Sequence, residues 1–207
     1  MITTVIDYGM GNLASVVNMG RKVGGSFTVS GDPAVIAKAD KLILPGVGHF
    51  KFAMARLDEL GLVDLLNEQV QIKGTPILGI CLGAQLLGTH SEEGDCAGLG
   101  WLPMKTVAFD RSRVPAHLKI PHMGWTDTKR RRSMLFEGLS DDAKFYYVHS
   151  YHFVCDSPET IACTANHGYE FASGVQHKNI FGVQFHPEKS HKFGMQVLRN
   201  FLRFQPS

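Results

Sequence analysis

Pro76-Ile-Leu-Gly-Ile-Cys-Leu-Gly-Ala-Gln-Leu-Leu87 carries a short apolar run into an apolar helical pattern through the pentapeptide Gly79-Ile80-Cys81-Leu82-Gly83. A run of this length bounded by Pro and Gly reads as a buried strand, residues 76–80, and the apolar residues 84–87 read as the start of a helix. Cys81 then stands on a sharp strand-to-helix turn, where glycines on both sides give the backbone room to double back. A helix N-terminus favours negative charge, so the thiol there is expected to ionise more readily than a free cysteine. By itself the pentapeptide serves packing as readily as chemistry.

The same rhythm extends toward the N-terminus. Residues 3–7 read as a strand and, after a glycine-rich turn, residues 12–23 as a helix. Residues 41–44 read as a strand, and residues 50–70, rich in Leu and Ala, as one helix. Strands alternating with helices imply parallel strands joined by crossovers. Beyond Trp101 the pattern shifts to short β-type runs at residues 104–109, 145–148, 161–165 and 180–185, a portion expected to be antiparallel or mixed. Phe193, Val197, Leu198, Phe201 and Leu202 fall at helical spacing, so a last helix is expected to lay an apolar stripe on the sheet. The expected fold class is α/β, a mostly parallel central sheet flanked by helices with an additional mixed or antiparallel portion. A chain of 207 residues fits one domain spanning residues 1–207.

The whole-chain numbers exclude several classes. A formal net charge of +2 is too small to argue for nucleic acid or a membrane surface, and the basic run at residues 129–132 is expected to be a solvated loop. The four cysteines show neither CxxC spacing nor a disulfide framework, which points to a reducing, cytoplasmic setting. The N-terminus has no basic leader pattern, and no run approaches the roughly 18 apolar residues of a membrane span. No cofactor or metal is expected. His149 and His152 differ by three positions, which on a single strand sets them on opposite faces.

Two further segments gather around Cys81. In Gln184-Phe185-His186-Pro187-Glu188, proline keeps His186 out of helical geometry, so residues 186 and 188 are expected in extended chain, pointing to the same side. The Glu188 carboxylate then meets the imidazole and orients it as a base for the thiol. Leu44-Pro45-Gly46-Val47-Gly48 ends another expected strand, at the same carboxyl edge of a parallel sheet. Amides of Gly46 and Val47, with that of Leu82, are placed to form an oxyanion hole.

At these places the sequence resembles the class I triad glutamine amidotransferases, in GICLGAQ (residues 79–85), PGVG (residues 45–48) and FHPEKS (residues 185–190). Asp7-Tyr-Gly-Met-Gly-Asn-Leu13, Pro121-His-Met-Gly-Trp125 and Val148-His-Ser-Tyr151 extend the likeness to glutaminase subunits of imidazole glycerol phosphate synthases. The resemblance implies a flavodoxin-like three-layer fold. It implies attack by Cys81 on the carboxamide of L-glutamine, with His186 shuttling protons and Glu188 orienting it. Gln85 and Glu93 would hold the ends of glutamine, and His149, Ser150 and Tyr151 would line its pocket. Asn12, Pro121, His122, Met123, Trp125 and Lys189 would face a (β/α)8-barrel cyclase in a heterodimer. That partner would turn the ammonia into imidazole glycerol phosphate and an aminoimidazole carboxamide ribotide in histidine biosynthesis. The sequence departs from the usual pattern at Ala84, Thr126 and Gly88-Thr-His90. The alternatives that stay open are a related glutaminase pair acting in surface-sugar amidation, and a stand-alone cysteine hydrolase.

Overall fold

The computed structural model describes residues 1–131 and 133–206. The strands are β1 (Ile2–Ile6), β2 (Ser26–Ser30), β3 (Lys41–Gly46), β4 (Ile77–Cys81), β5 (His90–Ser91), β6 (Cys96–Ala97), β7 (Met104–Ala108), β8 (His122–Arg130), β9 (Lys144–His149), β10 (Tyr151–Cys155), β11 (Ile161–Asn166), β12 (Glu170–His177) and β13 (Ile180–Val183). The helices are α1 (Leu13–Lys22), α2 (Pro33–Ile36), α3 (Phe50–Glu59), α4 (Leu62–Asn67), α5 (Leu82–Gln85) and α6 (His191–Arg203). Along the sheet the order is β2-β1-β3-β4-β13-β12-β10-β7-β5-β6. The first five of these are mutually parallel, and from β12 to β7 the pairing is antiparallel. The strand β11 joins β12 to β8, which pairs in turn with β9.

Every residue of β3, β4 and β13 is buried, which is why these strands read as unbroken apolar runs rather than alternating ones. By contrast β9 alternates and keeps one wet face. The expected α/β class and the change of pattern past Trp101 are both present. Helix α1 begins where Asn12 Oδ1 accepts the Ser15 amide at 3.4 Å, and α6 buries Val197, Leu198 and Phe201.

Local expectations fail where a distant contact overrules the pattern. Residues 50–70 are not one helix: Gly61 adopts φ +65°, breaking the run between α3 and α4, and a π turn follows at Glu68–Ile72. The elbow helix α5 is a single turn. The carbonyls of Leu86 and Leu87 accept amides of Leu99, Trp101 and Leu102 instead of continuing it. The edge strand β2, Ser-Phe-Thr-Val-Ser, buries only Phe27 and has no apolar run to announce it. The basic run starts in a strand rather than a loop: Lys129 and Arg130 end β8, and while Lys129 and Arg131 are exposed, the Arg130 guanidinium donates to the Leu139 carbonyl at 2.6 Å and pairs with Asp141. Arg132 lies outside the described residues. No helix among the described residues is long and apolar enough to cross a membrane.

Lys41 is 1% exposed, yet it opens β3. Its ammonium donates to the carbonyls of Phe201 at 2.9 Å and Leu202 at 2.8 Å, and to that of Phe204. They lie at the end of α6, where carbonyls run out of intrahelical donors, although that of Phe201 also accepts the Phe204 amide at 3.2 Å, and a cation there is also favoured by the helix dipole. Lys41→Met keeps the aliphatic stem but strands these acceptors in a buried place. It is expected to lower stability by about 2 kcal/mol, read as a reduced urea midpoint at unchanged slope.

Candidate active site

Cys81 ends β4 with φ 55° and ψ −113°, a backbone conformation that non-glycine residues rarely hold and that costs on the order of 1–3 kcal/mol. Packing on both sides enforces it. A Cβ on Gly83 would come 1.8 Å from the Leu44 carbonyl oxygen, and one on Gly79 would come 2.6 Å from Ala84 Cα. The expectation that these glycines supply room is therefore met atom by atom. The Leu82 amide opens α5 and so has no partner within that helix.

The ladder sets Gly46 beside Cys81, so the Pro45–Gly48 loop leaves the sheet next to the sulfur. A Cβ on Gly46 would lie 2.7 Å from both the Gly83 nitrogen and the Tyr8 hydroxyl oxygen. Tyr8 is itself buried and donates to the Pro45 carbonyl at 2.8 Å, pinning the start of the loop from beneath. Val47, at its tip, is 44% exposed.

His186 follows β13, the other neighbour of β4. Its amide donates to the Tyr146 carbonyl at 2.9 Å, and its carbonyl accepts the Ser190 hydroxyl at 2.6 Å. The backbone at His186 is extended, but Pro187–Lys189 form a 3-10 turn rather than extended chain. The carboxylate arrives by that turn: His186 Nδ1 and Glu188 Oε1 are 2.8 Å apart, with both side chains 2% exposed. Nδ1 therefore carries the hydrogen, and buried Nε2 has no hydrogen-bond partner among the described residues. Burial disfavours charge on this ring, but the Cys81 sulfur and the Glu188 carboxylate outweigh it and lift the imidazole to about 10.

Cys81 and His186 line one cavity of about 290 Å³, large enough for a free amino acid. Val47, Leu82, Gln85, Glu93, Pro121, His149, Ser150 and Tyr151 share its wall. One Glu93 oxygen accepts the Phe50 amide at 2.8 Å and so holds the carboxylate at the rim. Gln85 Nε2 is engaged by the Tyr151 carbonyl at 3.3 Å and by Gln184 Oε1 at 3.0 Å. Gln184 is the member of this network to which the sequence alone assigns no role, although it lies two positions from His186.

Residues 4–204 match the glutamine amidotransferase class-I family model. The chain belongs to that family. It is 50% identical over 200 residues to imidazole glycerol phosphate synthase subunit HisH 2 of Methanococcus maripaludis, covering 96% of this chain and 98% of that one. Against the subunit of the same name from Pseudomonas aeruginosa the identity is 48% over 199 residues, covering 96% and 97%. Among solved structures, a glutamine amidotransferase superposes with a TM-score of 0.76 at 17% identity, covering 98% of this chain and 97% of that one. A glutamine amidotransferase from Thermotoga maritima gives 0.68 at 17%, covering 97% and 95%. At those identities the structural likeness speaks to the fold alone.

Around this amidotransferase site the remaining predicted residues divide. Asn12, Pro121, Met123, Trp125 and Lys189 are exposed, and Trp125 stacks on His191 at 5.2 Å. His122 is not: it is 4% exposed and faces inward, because the first residue of β8 points to the buried side. Nor do His149 and His152 fall on opposite faces. Ser150 interrupts the strand between β9 and β10, and both rings pack on Phe109, at 5.2 and 4.8 Å, with His167 at 5.3 Å. No group of His, Cys, Asp or Glu able to hold a metal occurs among the described residues.

The tautomers in this cluster follow from the acceptors. The Tyr151 carbonyl, 2.7 Å from His149 Nδ1, accepts only, so that nitrogen donates and Nε2 accepts from His122 Nδ1 at 3.0 Å. His122 Nε2 then accepts the Thr126 hydroxyl at 2.8 Å. A neutral chain satisfies each atom. Burial lowers His122 to about 4, with His167 adding to the effect. Burial likewise lowers His149 and His152. Rings held below their unfolded value near 6.5 contribute stability above that pH and lose it as the pH falls toward 4. His186, raised to about 10, contributes fully below 6.5 and loses its contribution as the pH climbs. Thermal melts from pH 4.5 to 8 are expected to show stability falling on both sides, by about 1.4 kcal/mol per pH unit for each proton involved, and the alkaline fall should level off above pH 8, where burial of Lys41 favours its neutral form. His122→Gln should flatten the acid limb and Glu188→Gln the alkaline limb.

Proposed function

We propose that the chain is a glutaminase subunit: it hydrolyses L-glutamine to glutamate and ammonia and passes the ammonia to a (β/α)8-barrel cyclase bound as a heterodimer. The observation that carries the chemistry is the single cavity shared by the Cys81 elbow and an imidazole whose Nδ1 is held by Glu188 while Nε2 is free. The kinship that carries the pathway is near-half identity, over almost the full length, to subunits named for imidazole glycerol phosphate synthase. The cyclase step then belongs to histidine biosynthesis, in the cytoplasm, with the 207 residues acting as one domain.

In this mechanism the Cys81 thiolate attacks the side-chain carboxamide carbon, and the oxygen takes the charge. The Leu82 amide supplies one oxyanion donor, and the Val47 or Gly46 amide a second once the loop peptide turns inward. Imidazolium His186 gives its Nε2 proton to the departing ammonia, leaving a glutamyl thioester. It then takes a proton from the incoming water, which attacks the thioester, and the acyl carbon expels the Cys81 thiolate, restoring the thiolate and imidazolium as glutamate leaves. Glu93 at the rim binds the α-ammonium, while Gln85, Ser150 and Tyr151 define the rest of the pocket. His149 serves as wall, both ring nitrogens being engaged elsewhere. Asn12, Pro121, Met123, Trp125 and Lys189 form the docking face, and cyclase binding there turns the exposed Val47 peptide.

Glutamate release by the chain with its co-purified barrel partner tests this. Cys81→Ala is expected to lower the rate by about 10³-fold or more, and Glu188→Gln by about 10²-fold or more. A glutamine-like electrophile, diazo-oxo-norleucine, should label Cys81. Full glutaminase activity in the isolated chain would rule out activation by the partner. A barrel that aminates a sugar acceptor would redirect the ammonia without touching the Cys81 chemistry.

A further inference from the structure

Among the described residues the Cys81 sulfur has two hydrogen-bonding neighbours. The Val148 carbonyl oxygen, 3.9 Å away, accepts from a thiol and repels a thiolate. Gln184 Nε2, 3.6 Å away, donates, and so prefers the charged sulfur. Gln184 is 0% exposed, just beyond the end of β13, with its backbone amide tied to the Ser173 carbonyl at 2.8 Å.

The direction of its side-chain amide is fixed by a chain of partners. The Tyr151 carbonyl only accepts, so Gln85 must present its NH2 group there. The second N–H of that group meets Gln184 Oε1 at 3.0 Å. With its oxygen committed to Gln85, Gln184 has its NH2 turned to the sulfur. Reversing Gln184 would set its NH2 against that of Gln85 and its oxygen against the sulfur, in a buried place.

We infer that Gln184 is a further catalytic residue of this site, donating an N–H to the Cys81 thiolate before attack, and that Gln85 is a positioning residue acting through it. The inference rests on the proposed glutaminase only in taking Cys81 as the nucleophile. Its signature is distinctive. A hydrogen bond to a charged group changes the thiolate fraction by about tenfold. A better-stabilised thiolate is also a weaker nucleophile, with a sensitivity of about 0.4–0.5. Removing the donor should therefore slow reactions about threefold where the thiol is still protonated and speed them about threefold on the plateau where it is fully ionised.

The test is the rate of Cys81 alkylation by iodoacetamide from pH 5 to 10 in the full chain, with labelled sites resolved by peptide mass. Gln184→Met is expected to give crossed profiles, slower than the parent on the rising acid limb and faster on the plateau. Gln85→Met, which leaves Gln184 free to turn, should shift the profile the same way by less. Gln184→Glu keeps the shape but opposes the sulfur with a carboxylate, and should slow alkylation on the acid limb further. If circular dichroism shows Gln184→Met unfolded, the other two variants decide. Folded variants whose profiles superimpose on the parent, or are slower by one factor at every pH, would overturn the assignment. Alkylation needs no glutamine, so a parent complex that fails to release glutamate would sink the proposed function and leave this result standing.

Discussion

The site exists because two strand exits pack closer than any side chain between them would allow. Where Gly83 follows the elbow, its α-carbon faces the Leu44 carbonyl so closely that a Cβ would lie 1.8 Å from the oxygen. That contact presses the end of β4 against the end of β3, and with it the sulfur against the Pro45–Gly48 loop. The third strand, β13, flanks β4 on the other side, pairing Val183 with Ile80. Cys81, the Pro45–Gly48 loop and His186 thus come from the carboxyl ends of three adjacent parallel strands, the edge where such sheets collect ligands. Cys81 tolerates its uncommon backbone angles because both neighbours hold the strand beneath it.

Electrostatics sorts chemically identical side chains into different tasks in one small region. His186 meets a carboxylate and a sulfur, and its charged form is favoured. His122 and His149 meet a hydroxyl, each other and a carbonyl, an arrangement complete only when both are neutral. The distinction follows from the partner's charge, since all three rings are buried. A buried ion pair offsets its desolvation cost only when its remaining valences are met. Here Glu188 Oε2 and His186 Nε2 have no hydrogen-bond partner among the described residues, so that cost is not fully offset.

Legibility in the sequence tracked the distance over which each feature is decided. The elbow, the helical span of α1 and the apolar stripe of α6 are set by neighbours within a few residues, and all could be read directly, whereas the chain after His186 was expected to be extended and instead turns. Within the parallel half β3 and β4 were readable because strands buried on both faces leave apolar runs, whereas the edge strand β2, with one buried residue, was not. What escaped was decided across the chain. Lys41 is buried because α6, 160 residues later, ends against it. His122 turns inward because it meets His149. Residues 50–70 look helical throughout because periodicity does not reveal that Gly61 has turned left-handed. His152 shares a face with His149 only because Ser150 resets the alternation, an irregularity without a residue signature. Gln184 carried a motif but no partner until Gln85 and Cys81 were seen around it.

The departures from the family pattern acquire a physical meaning in the same way. Ala84 is fully buried, with its Cα 2.6 Å from where a Gly79 side chain would begin and its Cβ 3.1 Å from the corresponding point at Gly182. It fills space behind the elbow, where a longer side chain requires compensating room. Thr126 ends the histidine chain by donating to His122, which neutral imidazoles require at that point. Neither contact reaches the glutamine cavity. These substitutions therefore describe how this chain packs its elbow and its histidine cluster, and they leave the chemistry at Cys81 untouched.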